Sequence, residues 1–117
     1  MTINYGGAGD NAPPFFESLR EQPTIPFPLS AVATSTGVTR RPCILVGWSL
    51  RESTGGATAA VRLIDGGDAT GQNVAAISLA SGGSDHEGIG PDGPLCNQGL
   101  FLQIVSGSVE GSLWIKV

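Results

Sequence analysis

Cys43-Ile44-Leu45-Val46-Gly47-Trp48-Ser49-Leu50-Arg51-Glu52 is the stretch that decides the fold. Successive side chains of a β-strand point to opposite faces, so a period of two separates a buried face from an open one. Here Ile44, Val46, Trp48 and Leu50 fall on one face, and Gly47, Ser49 and Arg51 on the other. The first residues are apolar on both faces, which marks a central strand buried at one end. Ser53-Thr54-Gly55-Gly56 then turns the chain. Residues 59–65 return with Ala59, Val61 and Leu63 facing in and Arg62 facing out. Asp65-Gly66-Gly67-Asp68 turns again, and residues 74–80 supply Ala75, Ile77 and Leu79 to the same core.

Further out the signals are weaker. Residues 31–39 are small and β-branched and are expected to form one edge strand. Residues 81–99 carry no apolar alternation and are expected to be irregular. Leu100-Phe101-Leu102-Gln103-Ile104-Val105, the turn Ser106-Gly107-Ser108 and residues 109–117 form a closing hairpin. The expected core is Val46, Trp48, Val61, Leu63, Ile77, Leu102, Ile104 and Leu113. Phe101 and Trp114 have the opposite parity to their neighbours. About six strands with frequent turns and no helical period define an all-β chain, a small antiparallel β-sandwich or jelly-roll-like domain over residues 30–117.

Residues 1–29 read differently. Pro13, Pro14, Pro23, Pro26 and Pro28 remove backbone donors and bias their predecessors to extended geometry, so neither a long helix nor an inner strand fits. At most residues 16–21 make a helical turn. Yet Tyr5, Phe15, Phe16, Ile25 and Phe27 are large apolar groups that a solvated linker would not carry. An extended proline-rich arm lying on a surface accounts for both features. The surface is either the chain's own domain or a partner, and these five residues are the expected partner-binding set.

Composition bounds the function. The 117 residues include 18 glycines and 8 prolines, and suffice for one core. Charged residues are 14% of the chain, against roughly 25% in an average soluble protein, which suggests that part of the exterior is not free in water. The net charge of −4 and the lack of a basic run argue against nucleic-acid binding. No apolar run is long enough to span a bilayer, and residues 1–5 do not read as a signal peptide. Cys43 and Cys96 are expected to be reduced in a cytoplasmic setting, although a bridge between strand and loop is geometrically open.

Catalytic signatures are missing from the sequence. His86 is the single histidine, flanked by Asp85 and Glu87, and adjacent strand residues diverge, so the triplet reads as solvated loop. Asp65, Asp68, Asp85 and Asp92 lack the ordered spacing of a calcium loop. There is no Gly-x-Ser-x-Gly elbow, no Cys-x-x-Cys pair and no phosphate loop at 88–93. No enzyme activity and no cofactor are expected. Trp48 reads as core, while Trp114 reads either as core or as a ring exposed for stacking on a sugar.

From Arg41 to Val117 the chain resembles small structural proteins of tailed bacteriophages. The resemblance is carried by residues 43–52, by Ala60-Val61-Arg62-Leu63-Ile64-Asp65-Gly66, by Gly90-Pro91-Asp92-Gly93, and by Gly99-Leu100-Phe101-Leu102 through Val109-Glu110-Gly111-Ser112-Leu113-Trp114. It implies a virion protein assembled in the host cytoplasm. The arm-plus-domain layout resembles capsid decoration (cement) proteins, which implies a location on the capsid surface, the major capsid protein as partner and a homo-oligomer, with a trimer favoured. A tail, neck or fibre component is the alternative within the virion. A carbohydrate-binding module that presents Trp114 or Trp48 to the host surface is the alternative outside that class.

Overall fold

The computed structural model describes residues 14–117. After a short helix, α1 (Pro14–Arg20), nine strands follow: β1 (Ile25–Val32), β2 (Thr36–Thr39), β3 (Cys43–Glu52), β4 (Ala59–Asp65), β5 (Gln72–Leu79), β6 (Ser84–Gly88), β7 (Leu95–Cys96), β8 (Leu100–Ser106) and β9 (Val109–Lys116). The first sheet runs β1-β9-β3-β6, with β7 also on β3, and the second runs β2-β8-β4-β5. All the pairings are antiparallel.

This order is that of a rolled hairpin. The chain pairs β1 with β9, β2 with β8, β3 with β6 and β4 with β5, as one long antiparallel ribbon folded at the β4–β5 turn would. Rolling the ribbon brings β3 beside β9 and β4 beside β8, closing two four-stranded sheets face to face. The result is an eight-stranded jelly roll, with β7 as a two-residue addition. Leu45, Trp48, Leu50, Val61, Leu63, Leu100, Leu102 and Leu113 fill the space between the sheets.

Strands β3 and β4 have the boundaries expected from sequence. Of the expected core, Trp48, Val61, Leu63, Ile77, Leu102 and Leu113 are buried, and Ile104 is half-buried against the same cluster. Val46 is a correction. The β3–β9 register shifts between Leu45 and Gly47, making Val46 the extra residue of a bulge. Before the bulge Cys43 and Leu45 point into the core; after it Trp48 and Leu50 do. Ile44 is fully buried but stands outside the intersheet cluster, on the face of β3 beside which α1 lies. The Val46 carbonyl accepts the Ile89 and Gly90 N–H groups at 2.7 and 3.0 Å, so the bulge anchors the β6–β7 loop.

Three other expectations change. Residues 31–39 are not one strand: Ala31 and Val32 end β1 in the first sheet, and Thr36–Thr39 form β2 in the second, with Ser35 Oγ accepting the Ile104 N–H at 2.9 Å between them. The stretch 81–99 contains β6 and β7. Strand β6 is an edge whose inward group is a carboxylate, so it gives no apolar period. The expected arm boundary at residue 29 falls inside β1, where Pro26 and Pro28 are tolerated because β1 is an edge strand. Leu29 is buried and Phe27 packs on the core.

Candidate functional site

The outward face of the first sheet is built in rows by antiparallel register. Ser84, Arg51 and Glu110 form one row, His86, Ser49, Ser112 and Pro28 the next, and Gly88, Gly47, Trp114 and Pro26 a third. Only the second row is low at its centre, with Ser49 and Ser112 between His86 and Pro28, and the longer Arg51, Glu110 and Trp114 stand in the rows on either side. At the first row β1 bulges between Leu29 and Val32, with Ala31 at φ 50°, an uncommon left-handed conformation for a residue with a Cβ. Opposite it Gly111 sits at φ 128°, where a Cβ would overlap the Ser49 carbonyl oxygen. An open groove of about 620 Å³ results, lined by Ser30, Ala31, Ser49, Arg51, Ser84 and Glu110 among others.

The groove lining is mixed, with Leu29, Ala31 and Leu50 beside Ser30, Ser49 and Ser84, and its two charged groups are of opposite sign. Arg51 Nη1 lies 3.6 Å from Glu110 Oε2, and both side chains remain substantially exposed. Such a pair adds little stability, yet it presents donors and acceptors side by side. At the third row the Trp114 ring lies over Gly47, with its Cε3 3.1 Å from where a Cβ at that position would stand. His86 meets it edge-on, with centroids 5.6 Å apart and planes at 75°. Trp114 is half-buried on the outside of the sheet. Trp48 is core: it is buried, and its indole N–H donates to Asp85 Oδ2 at 2.7 Å.

The other singled-out residues have structural surroundings. Asp85 and His86 point to opposite sides of β6, so they do not act as a pair, and the triplet is strand rather than loop. Asp65 accepts the Asn97 and Gln98 N–H groups at 3.2 and 2.9 Å, fixing the approach to β8. Asp68 accepts from the Thr70 hydroxyl and N–H, which lower its pKa. Asp92 pairs with Arg20 at 2.7 Å and ties α1 to the β6–β7 loop. Among the described residues no group of three His, Cys, Asp or Glu side chains converges on a metal position. Cys43 and Cys96 are buried free thiols facing each other in register. The Cys96 thiol donates to Cys43 sulfur, lowering the Cys43 pKa and raising its own.

The described members of the expected partner set have different surroundings. Tyr5 and the side chain of Phe15 lie outside the described residues. Phe16 is half-buried on α1 with the Arg20 guanidinium 5.8 Å from its ring centre. Ile25 is 40% exposed. Phe27 is half-buried against the intersheet core, so it contributes to the chain's own domain.

Glu52 was not singled out by sequence. It is completely buried at the end of β3, and its carboxylate accepts the Thr54 N–H and hydroxyl, the Gly55 N–H and the Gly82 N–H at 2.6–3.0 Å. These donors, the Thr54 hydroxyl first, draw its pKa from 4.5 down to about 2. The available signal was Glu52-Ser53-Thr54-Gly55-Gly56, an acid followed by a hydroxyl and free turn amides. Comparisons with protein-family models, curated proteins and solved structures give no significant match to the chain.

Proposed function

We propose that the chain is a non-enzymatic structural protein of a tailed-phage virion, a capsid decoration protein that binds the major capsid protein as a homotrimer. One observation carries this reading: among the described residues, the outward face of the second sheet has a single charged side chain, Arg62. Around Arg62 and Gln103 that face presents Ala60, Ala76, Phe101 and Val105, with Val105 49% exposed. A sheet face so poor in charge is suited to being covered by protein. The low charge of the whole chain supports the same conclusion. The N-terminal segment, through Phe16 and Ile25, supplies a second contact, and many copies of two modest contacts hold a shell together by multivalency.

Val105 and Ala76 are both exposed on this face, so charges there leave the core untouched. The double variant Val105→Glu with Ala76→Glu is expected to keep the thermal midpoint within a few degrees, since exposed substitutions cost within about 0.5 kcal/mol each. It should no longer co-sediment with particles that lack the protein, where the parent does. A parent that does not bind such particles, or a variant that binds them normally, contradicts the assignment of this face.

A further inference from the structure

We infer that Cys43 and Cys96 are a redox latch: a small oxidant such as hydrogen peroxide joins them in a disulfide that fastens β7 and the β6–β7 loop to β3. The inference concerns the chain by itself and is independent of attachment to a particle.

The ladder supplies the geometry. Cys43 opens β3, Cys96 ends β7, and the two are direct antiparallel partners. Such partners have Cα atoms about 4.5–5.5 Å apart, inside the range of about 4.4–6.8 Å that a disulfide spans. Both side chains are fully buried in the intersheet core, hence on the same face of the sheet. The thiols are hydrogen-bonded to each other, so the atoms to be joined are already neighbours. The adjoining Ile44–Leu95 pair and the Leu45 N–H, which donates to the Pro94 carbonyl at 3.1 Å, fix the register around them.

Other roles for two cysteines fit less well. A structural zinc site takes four ligands, and no third His, Cys, Asp or Glu side chain joins this pair among the described residues. A catalytic dithiol must offer an accessible thiolate, whereas both residues are 0% exposed. The same burial rules out a bond to a second chain.

The chemistry balances with peroxide as the oxidant. The Cys96 thiol donates to the Cys43 sulfur and lowers its pKa, which makes Cys43 the attacking group. Its thiolate attacks one peroxide oxygen, the O–O bond breaks, hydroxide leaves and takes up the Cys43 proton as water, and Cys43 becomes a sulfenic acid. The Cys96 sulfur then attacks the Cys43 sulfur, and the S–OH oxygen leaves as water with the Cys96 proton. Access comes through local opening of β7, which is only two residues long. The closed bond holds a loop whose other anchors are the Val46 carbonyl, under Ile89 and Gly90, and the Arg20–Asp92 pair to α1. In a reducing compartment the pair stays open.

The test treats reduced full-length protein with a modest excess of hydrogen peroxide. Intact mass is expected to fall by two hydrogens, and peptide mapping without reductant should show Cys43 linked to Cys96 within one chain. The bridged form should melt about 10 °C above the reduced form, the order set by closing a long loop in a domain of this size, and dithiothreitol should reverse the shift. Hydrogen exchange at the Leu45, Ile89 and Gly90 amides should slow on bridging. Cys96→Ala should leave a sulfenic acid on Cys43 that dimedone traps, with no rise in midpoint. The parent's own map and midpoint decide the case whether or not that variant folds. Two thiols still titratable in denaturant after oxidation, bridges between chains, sulfinic acids in place of a bridge, or a bridged form no more stable than the reduced one overturns the latch.

Discussion

Glu52 shows how one residue can hold two loops of a sandwich. Its carboxylate collects donors from the β3–β4 turn and from Gly82 of the β5–β6 turn. A buried anion is tolerated where several donors replace its water. Its folded-state pKa is lowered, to about 2. The stabilisation is therefore complete above the unfolded value of 4.5 and is lost as pH falls from 4.5 towards 2. Denaturant unfolding at a series of pH values should show stability dropping through that window. Glu52→Gln should be less stable at neutral pH and show a flatter acid dependence; an unchanged slope contradicts the role. The same scale tests the β3 bulge. Leu45→Ala empties a fully buried core position and should cost about 2–5 kcal/mol, whereas Val46→Ala, at the half-buried bulge, should cost clearly less. Equal losses in chemical denaturation would place both side chains in the core.

At the scale of elements, legibility followed apolar alternation. Strands β3 and β4 alternate Leu, Val, Trp and Ala with polar residues, and their ends could be read directly. Strand β6 could not: Ser84-Asp85-His86-Glu87-Gly88 sets a half-buried carboxylate against an indole where a pattern reader looks for a hydrocarbon. The bulge at Val46 was also invisible, because an extra residue changes which face a side chain takes without changing its identity. The groove was beyond reach for a related reason. Its lining combines residues from four strands far apart in sequence. Strand β1 was half-legible: its prolines excluded an inner strand, and it is an edge. Deleting residues 1–22 should therefore leave a folded jelly roll with a modest fall in thermal midpoint from loss of α1. Deleting residues 1–32 removes Phe27 and Leu29 and uncovers the β9 edge, and should give aggregated protein. Size-exclusion chromatography of the two truncations distinguishes them, and a soluble monomeric second truncation would show that β1 is dispensable.

Over the whole molecule, the two outward sheet faces differ in kind. The second sheet shows a nearly uncharged surface suited to protein contact, and the first shows a groove with the Arg51–Glu110 pair on it and, further along β9, the half-buried Trp114. A jelly roll makes this division easy, because each sheet buries one face in the shared core and leaves the other to be specified independently. The proposed arrangement places the second sheet against the particle and turns the first towards solvent. Under the proposed function, electron cryomicroscopy of the virions that would carry the chain tests this most directly. The account expects trimeric β-rich density on the outer capsid surface, fitted by the jelly roll with the Arg62 face inward and Trp114 outward. Density confined to the tail or neck, or no density for the chain in the particle, contradicts it.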